Sequence, residues 1–255
     1  MPTVTTDEAT LRYRIDGDGD ETVVFVPEAT VGPWLWSWQA PALAGAYRTL
    51  VYATRGTDES SASGPYEIGA FVDDLERVLA AADVRRAHLV GAGLGGVVAL
   101  EYVREYERAR SLTLLGVAAT GERVDEAALN ALCPSDPTRF RESLSMAFTD
   151  RFLAETALVD RIVEWRRNED ATGEAHTGQL AALRSFELGS LYEVTLPTLV
   201  FHGVDDPVIP VDAGKSVATD LPRGRFEAVE GKRFCFVEHS RAVTDVIDEF
   251  VDESV

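Results

Sequence analysis

Two hydrophobic patterns take turns along the chain. Short apolar runs such as "VVFV", "RTLVYA", "HLVGAG", "SLTLLG" and "PTLVFHG" stand between stretches like "IGAFVDDLERVLAAAD", "GGVVALEYVREYE" and "RAVTDVIDEFV", where apolar residues return every three or four positions. The runs read as strands buried on both faces and the periodic stretches as amphipathic helices. Strand and helix alternating in this way predict an α/β fold, a mostly parallel, doubly wound sheet with helices on both faces. The opening "ATLRYRIDGDGDETVVFVP" differs: it reads as two alternating strands around an acidic glycine turn, which adds antiparallel strands at the N-terminus.

The alternation stops between residues 121 and 194. "FRESLSMAF", "TALVDRIVEWRRNED" and "TGQLAALRSF" carry helical periodicity, and no run there reads as a strand. The chain is therefore expected to divide into a core, residues 1–120 and 195–255, and a helical cap insertion, residues 121–194. Helices placed over the carboxyl edge of a sheet would cover any pocket there, and a small-molecule ligand beneath them is the expected partner.

Composition narrows the function classes. At 255 residues with a formal charge of −19 and Lys215 and Lys232 as its only lysines, the chain repels nucleic acid and anionic membrane surfaces. Acid excess with scarce lysine suits a salt-rich cytoplasm, and a halophilic, haloarchaeal origin is expected. Cys133 and Cys235 form neither a disulfide framework nor a zinc spacing, and the first residues lack the pattern of a signal peptide, so a cytoplasmic protein is expected. Asp16, Asp18 and Asp20 have the spacing of a calcium loop, but Glu21 stands where glycine is needed and Pro27 where the bidentate glutamate belongs. No metal site and no cofactor is expected.

"HLVGAGLGG" can be read in two ways. Gly91, Gly93 and Gly96 satisfy the dinucleotide fingerprint G-x-G-x-x-G, and the same stretch fits G-x-S-x-G with glycine in place of serine. A dinucleotide loop opens the first βαβ unit and has an acidic residue at the end of the next strand. Here two strands precede it and the next strand ends in Gly116.

Three stretches in order, "LVGAGLGGVVAL", "LPTLVFHGVDDPVIP" and "VEGKRFCFVEHS", resemble the α/β-hydrolase family over almost the whole chain, with "QLAALRSFE" similar to the caps of small esterase and enol-lactonase-like members. The resemblance implies that Asp206 is the acid of a Ser-His-Asp triad, that the amide of Leu94 is one donor of an oxyanion hole, and that the insertion is a cap. This chain departs from the family at three places. Gly93 takes the nucleophile position and its neighbours Ala92 and Leu94 offer no hydroxyl or thiol. Counting from Gly231 puts Phe234 at the base position and counting back from Glu238 puts Arg233 there; neither takes a proton at neutral pH. Where the family has His-Gly before the second oxyanion amide, this chain has Pro27 and Glu28, which sets a carboxylate against a developing oxyanion.

Glu28, Gly93, Asp206 and either Arg233 or Phe234 are thus expected to converge. An Asp206–Arg233 pair would be structural, whereas Glu28, desolvated beneath a cap, is the candidate general acid or base. Trp34, Trp36 and Trp38 follow the altered loop; Trp34 is expected at the pocket and packing accounts for two of the three. Arg55 and Gly56 match the family's Arg-Gly turn, and the resemblance implies that Arg55 braces the site loops without doing chemistry. His202, His239, His88 and His176 have structural readings, and Cys235 reads as a small core thiol. The leading expectation is a hydrolase-like fold without its serine and histidine, a binding or partner protein. The alternatives are an ester or lactone hydrolase, or a lyase or isomerase, working through Glu28 and Asp206, and a dinucleotide binder.

Overall fold

The computed structural model describes residues 1–6, 8–61 and 64–255. The strands are β1 (Thr3–Thr5), β2 (Thr10–Asp16), β3 (Thr22–Val26), β4 (Arg48–Tyr52), β5 (Ala87–Ala92), β6 (Ala109–Leu115), β7 (Thr198–Gly203) and β8 (Gly224–Val229). They make one sheet in the order β1-β2-β4-β3-β5-β6-β7-β8. β1 pairs with β2 and β2 with β4 antiparallel, and every other pair is parallel. The two strands of the opening segment do not pair with each other: β4 lies between them, antiparallel to β2 and parallel to β3.

The helices are α1 (Gln39–Leu43), α2 (Ile68–Ala81), α3 (Leu94–Glu105), α4 (Glu126–Leu132), α5 (Phe140–Ala147), α6 (Asp150–Leu153), α7 (Thr156–Glu169), α8 (Gly173–Ser185), α9 (Val211–Asp220), α10 (Cys235–Glu238) and α11 (Ser240–Asp252). β3, β5 and β7 are buried at every position, as strands must be when helices cover both faces of the sheet. α11 shows how pattern becomes packing: Val243, Ile247, Phe250 and Val251 fall on one stripe and are its buried apolar residues, leaving the acidic stripe in solvent. α11 packs against α1, and α2 against α3. Trp36 lies between Phe25 of β3 and Phe236 of α10, at centroid distances of 5.1 and 5.4 Å, and so fastens the C-terminal segment to the sheet.

Between β6 and β7 the described residues form helices and turns, with a single antiparallel bridge from Thr120 to Glu187. No helix among the described residues is long and apolar enough to cross a membrane. The chain leaves β3 toward β4 on one side of the sheet, and from β5 onward it builds the other side. The carboxyl ends of β3 and β5 therefore flank the point where the winding reverses, which in open α/β sheets opens a crevice for a site.

Candidate functional site

Four loops meet at that crevice: Pro27–Glu28 after β3, Gly93 between β5 and α3, Asp206 after β7, and Arg233 after β8. Glu28, Arg233 and Asp206 are 1%, 3% and 8% exposed, so three charged side chains share one buried cluster.

The Glu28 carboxylate is gripped on both oxygens. Oε1 accepts the amide of Ala29 at 2.8 Å and the amide of Leu94 at 3.0 Å. Oε2 accepts Nε of Arg233 at 3.0 Å and also its Nη2. Nη1 of the same guanidinium donates to Asp206 Oδ2 at 2.9 Å and to the carbonyl of Gly116 at 2.8 Å. The other oxygen of Asp206 accepts the amides of Val208 and Ile209, at 2.8 and 3.2 Å. Burial alone would raise the pKa of Asp206, but Arg233 and then His202 outweigh it and hold the carboxyl below its ordinary range. Burial would lower that of Arg233, and Glu28 and Asp206 more than reverse this, pushing it above the usual guanidinium value. Two carboxylates facing one guanidinium leave a net negative charge, which backbone amides and the N-terminus of α3 stabilise.

Gly93 has φ +48° and ψ −111°, a conformation that L side chains rarely adopt. A Cβ at this position would fall inside the Glu28 carboxylate, closer than Cβ atoms approach other groups. Gly116, also at positive φ (+61°), leaves room for the guanidinium, since a Cβ there would lie 2.6 Å from Arg233 Nη1. The same cluster therefore needs two glycines and one arginine.

A network from the helices between β6 and β7 fastens the Glu28 loop. Gln179 of α8 accepts the amide of Thr30 at 2.6 Å and donates to the carbonyl of Arg55 at 2.9 Å. Asp170 accepts the amide of Gly32 and the indole of Trp34 at 3.0 and 2.8 Å, and its second oxygen takes Nε of Arg166 at 2.7 Å. Glu169 accepts the amide of Trp34 at 2.7 Å; burial, aided by Asp58 and Asp170, pushes its carboxyl up to about 7. Thr30 sits at φ +65°, unusual for a β-branched residue, and is held there from both sides, since its carbonyl accepts the amide of Ala171.

A model of the alpha/beta hydrolase family matches residues 23–246. The chain belongs to the alpha/beta hydrolase family. As an alpha/beta hydrolase it is 28% identical to the protein named "Putative carbamate hydrolase RutD" of Azorhizobium caulinodans, across 98% of this chain and 97% of that one. It is 25% identical to 3-oxoadipate enol-lactonase 1 of Acinetobacter baylyi, across 95% and 93% of the two chains. Among solved structures, a hydrolase from Pseudomonas aeruginosa PA01 superposes with a TM-score of 0.84 at 27% identity, covering 97% and 96% of the two chains.

Of the two residues that the motif counts offered, Arg233 faces Asp206 with its guanidinium, whereas Phe234 packs its ring among Trp34, Phe148 and Phe236. Glu28 is not a solitary carboxylate: it is ion-paired with Arg233 and accepts the amides of Ala29 and Leu94, the two amides at the positions where the resemblance puts oxyanion donors. Trp34 is 2% exposed, packs edge-on against Phe234 at 6.2 Å and borders a cleft of about 330 Å³ with Trp165 and Glu169, while Trp38 meets Trp165 edge-on at 5.9 Å. Among the described residues, neither the cleft of about 640 Å³ beside Arg55 and Asp74 nor that of about 330 Å³ beside Trp34 and Trp165 is lined by Glu28, Gly93, Asp206 or Arg233.

His202 is buried at the end of β7 and its Nε2 donates to the carbonyl of Ile209 at 2.8 Å; His176 bonds the carbonyl of Cys133, His88 the hydroxyl of Ser111, and His239 precedes α11 without a side-chain capping bond. Arg55 grips Asp74 through two bonds of 2.7 Å. The sequence reading missed Gln179, Asp170 and Arg166. Of these, the Arg166–Asp170 pair had a signal, the four-residue spacing in "EWRRNED".

Proposed function

We propose that this alpha/beta hydrolase does not hydrolyse esters by a serine route and acts instead by binding, as a small-molecule or partner protein built on a hydrolase frame. The observation that carries this reading is the Glu28 carboxylate bonded to the amides of both Ala29 and Leu94. In acyl transfer those donors stabilise the oxygen that gains charge in the tetrahedral intermediate, and losing one donor costs about 10²–10³ in rate. A resident anion takes both donors and opposes that charge. Glycine at position 93 supplies no attacking oxygen, and arginine at 233 holds its protons. The cluster is a degenerate triad in which an ion pair has taken the place of proton transfer, with residues 121–194 as the cap that pins it.

The relatives support a second reading. They carry the names of carbamate hydrolases and enol-lactonases and match this chain from end to end. On that reading the chain hydrolyses a small ester, lactone or carbamate, or runs a lyase or isomerase reaction, with Glu28 and Asp206 as the acting carboxylates once the cluster opens. A dinucleotide is poorly served, because Glu28 already occupies the helix N-terminus that a phosphate would use. The buried, unpaired thiols and the acidic, lysine-poor composition support a reducing, salt-rich cytoplasm as its setting.

Labelling with a serine-directed fluorophosphonate tests the proposal. The expected result is no covalent adduct by intact-mass measurement on native protein, with a serine esterase as the positive control. A stoichiometric adduct would overturn it and establish a nucleophile elsewhere in the site.

A further inference from the structure

The edge of the sheet opposite the candidate site carries a different kind of cluster. Arg86 precedes β5, Arg110 is the second residue of β6, and Arg223 precedes β8, so the starts of three strands of the same sheet half deliver arginines to one rim. They line a single cleft of about 530 Å³ together with Leu196, Pro197, Glu107 and Glu253. None of the three has an ion pair or a side-chain hydrogen bond among the described residues, although the chain has 43 acidic residues against 24 basic ones. Their neighbours did find partners: Arg108 pairs with Glu76 at 2.8 Å and Arg225 with Glu253 at 2.9 Å. Glu253 is thereby engaged elsewhere, which leaves Glu107 as the unpaired side-chain carboxylate of the cleft.

From these observations we propose that this cleft binds an extended oligophosphate group. Three unneutralised guanidinium groups side by side repel one another, and an anion placed between them relieves that repulsion with charge-assisted, bidentate bonds. The spacing selects an extended anion over a compact one. Neighbouring strands lie about 4.8 Å apart, so the backbones at the starts of β5 and β8 are about 14 Å apart across β6 and β7, and an anion of that length can meet each side chain without drawing the three together. A chain of linked phosphates offers anionic oxygens along that span. The lining contains no aromatic ring, so nothing in the cleft stacks on a nucleobase and recognition falls on the phosphate chain itself.

Isothermal titration with orthophosphate, pyrophosphate and tripolyphosphate tests this, at one fixed ionic strength, the lowest at which circular dichroism shows the native fold. Tripolyphosphate should bind at least about tenfold tighter than orthophosphate, and Arg110→Gln or Arg223→Gln should each weaken it by about tenfold. Glu107→Gln should tighten it about twofold, a gain that damage to the fold does not produce. The proposal fails if tripolyphosphate binds no tighter than orthophosphate. It also fails if the arginine variants, folded by circular dichroism, bind as the parent does, or if poly-glutamate binds more tightly than tripolyphosphate.

Discussion

Replacing Arg233 with methionine removes the one cation that the buried carboxylates share. The side chain keeps much of its volume, but Glu28 loses its bonds to Nε and Nη2, Asp206 loses one of 2.9 Å, and the carbonyl of Gly116 loses one of 2.8 Å. Breaking a buried ion pair from one side costs about 3–5 kcal/mol, and here one deletion strands two carboxylates, so the upper end applies. For a chain of this size about 1 kcal/mol moves the melting temperature by roughly 2–3 °C, which makes the expected loss about 10–15 °C. The sign with pH follows from Asp206. In the parent its pKa is depressed, so its contribution is present above the unfolded value and fades as pH falls through the folded value. In the variant the guanidinium that caused the depression is gone, burial raises the pKa, and protonation relieves the penalty. The gap between parent and variant should be widest near pH 7 and narrow toward pH 4. Urea denaturation at several pH values measures it, because urea adds no salt. Glu28→Gln/Asp206→Asn/Arg233→Met, which buries no charge, should recover more than half of the loss. A loss below about 1 kcal/mol, a loss that is the same at pH 4.5 and pH 8, or no recovery in the triple variant would refute the reasoning.

Gly93→Ala should cost more than about 3 kcal/mol, from a positive φ and from displacing Glu28, and much of that should return in a Glu28→Gly background; additive losses in a thermal double-mutant cycle would show that the two do not share space. Glu169, with its carboxyl raised to about 7, binds a proton more readily folded than unfolded, so stability should fall as pH rises from about 4.5 through 7. Discounted for solvent screening the effect is about 1–2 kcal/mol, and Glu169→Gln, which keeps an acceptor for the Trp34 amide, should flatten it in urea titrations at pH 5 and 8. Burial raises the thiol of Cys133 to about 11 and that of Cys235 to about 12, so Ellman's reagent at pH 8 should report no fast-reacting thiol in native protein and two in denaturant.

Much of this architecture was legible in the order of apolar runs. β3, β5 and β7 are buried throughout, and buried parallel strands announce themselves as unbroken hydrophobic stretches. Strand neighbours were less legible: β2 and β3 follow one another across the acidic turn, yet β4 separates them, because the insertion of a strand depends on contacts distant in sequence. At the site, the meeting of Glu28, Gly93 and Asp206 was readable from motif positions. Which of Arg233 and Phe234 meets Asp206 was not, since a one-residue shift in a loop breaks no periodicity. Packing decides it, through Asp206 on one side and the ring cluster of Trp34 and Phe148 on the other. Gln179 is a single polar residue on a mostly apolar helix face, and only the meeting of α8 with the Thr30 amide shows its purpose. That Glu28 accepts the amides of both Ala29 and Leu94 depends on two bonds that no spacing records.

The central claim is that a resident carboxylate closes the oxyanion site to substrate. Turnover of p-nitrophenyl acetate and of a small enol lactone, measured side by side with parent protein and Glu28→Gln, tests it most directly. The account predicts that neither protein exceeds a non-enzymatic control protein on either substrate. Protein-dependent turnover by the parent that Glu28→Gln abolishes would contradict it and make Glu28 a catalytic residue.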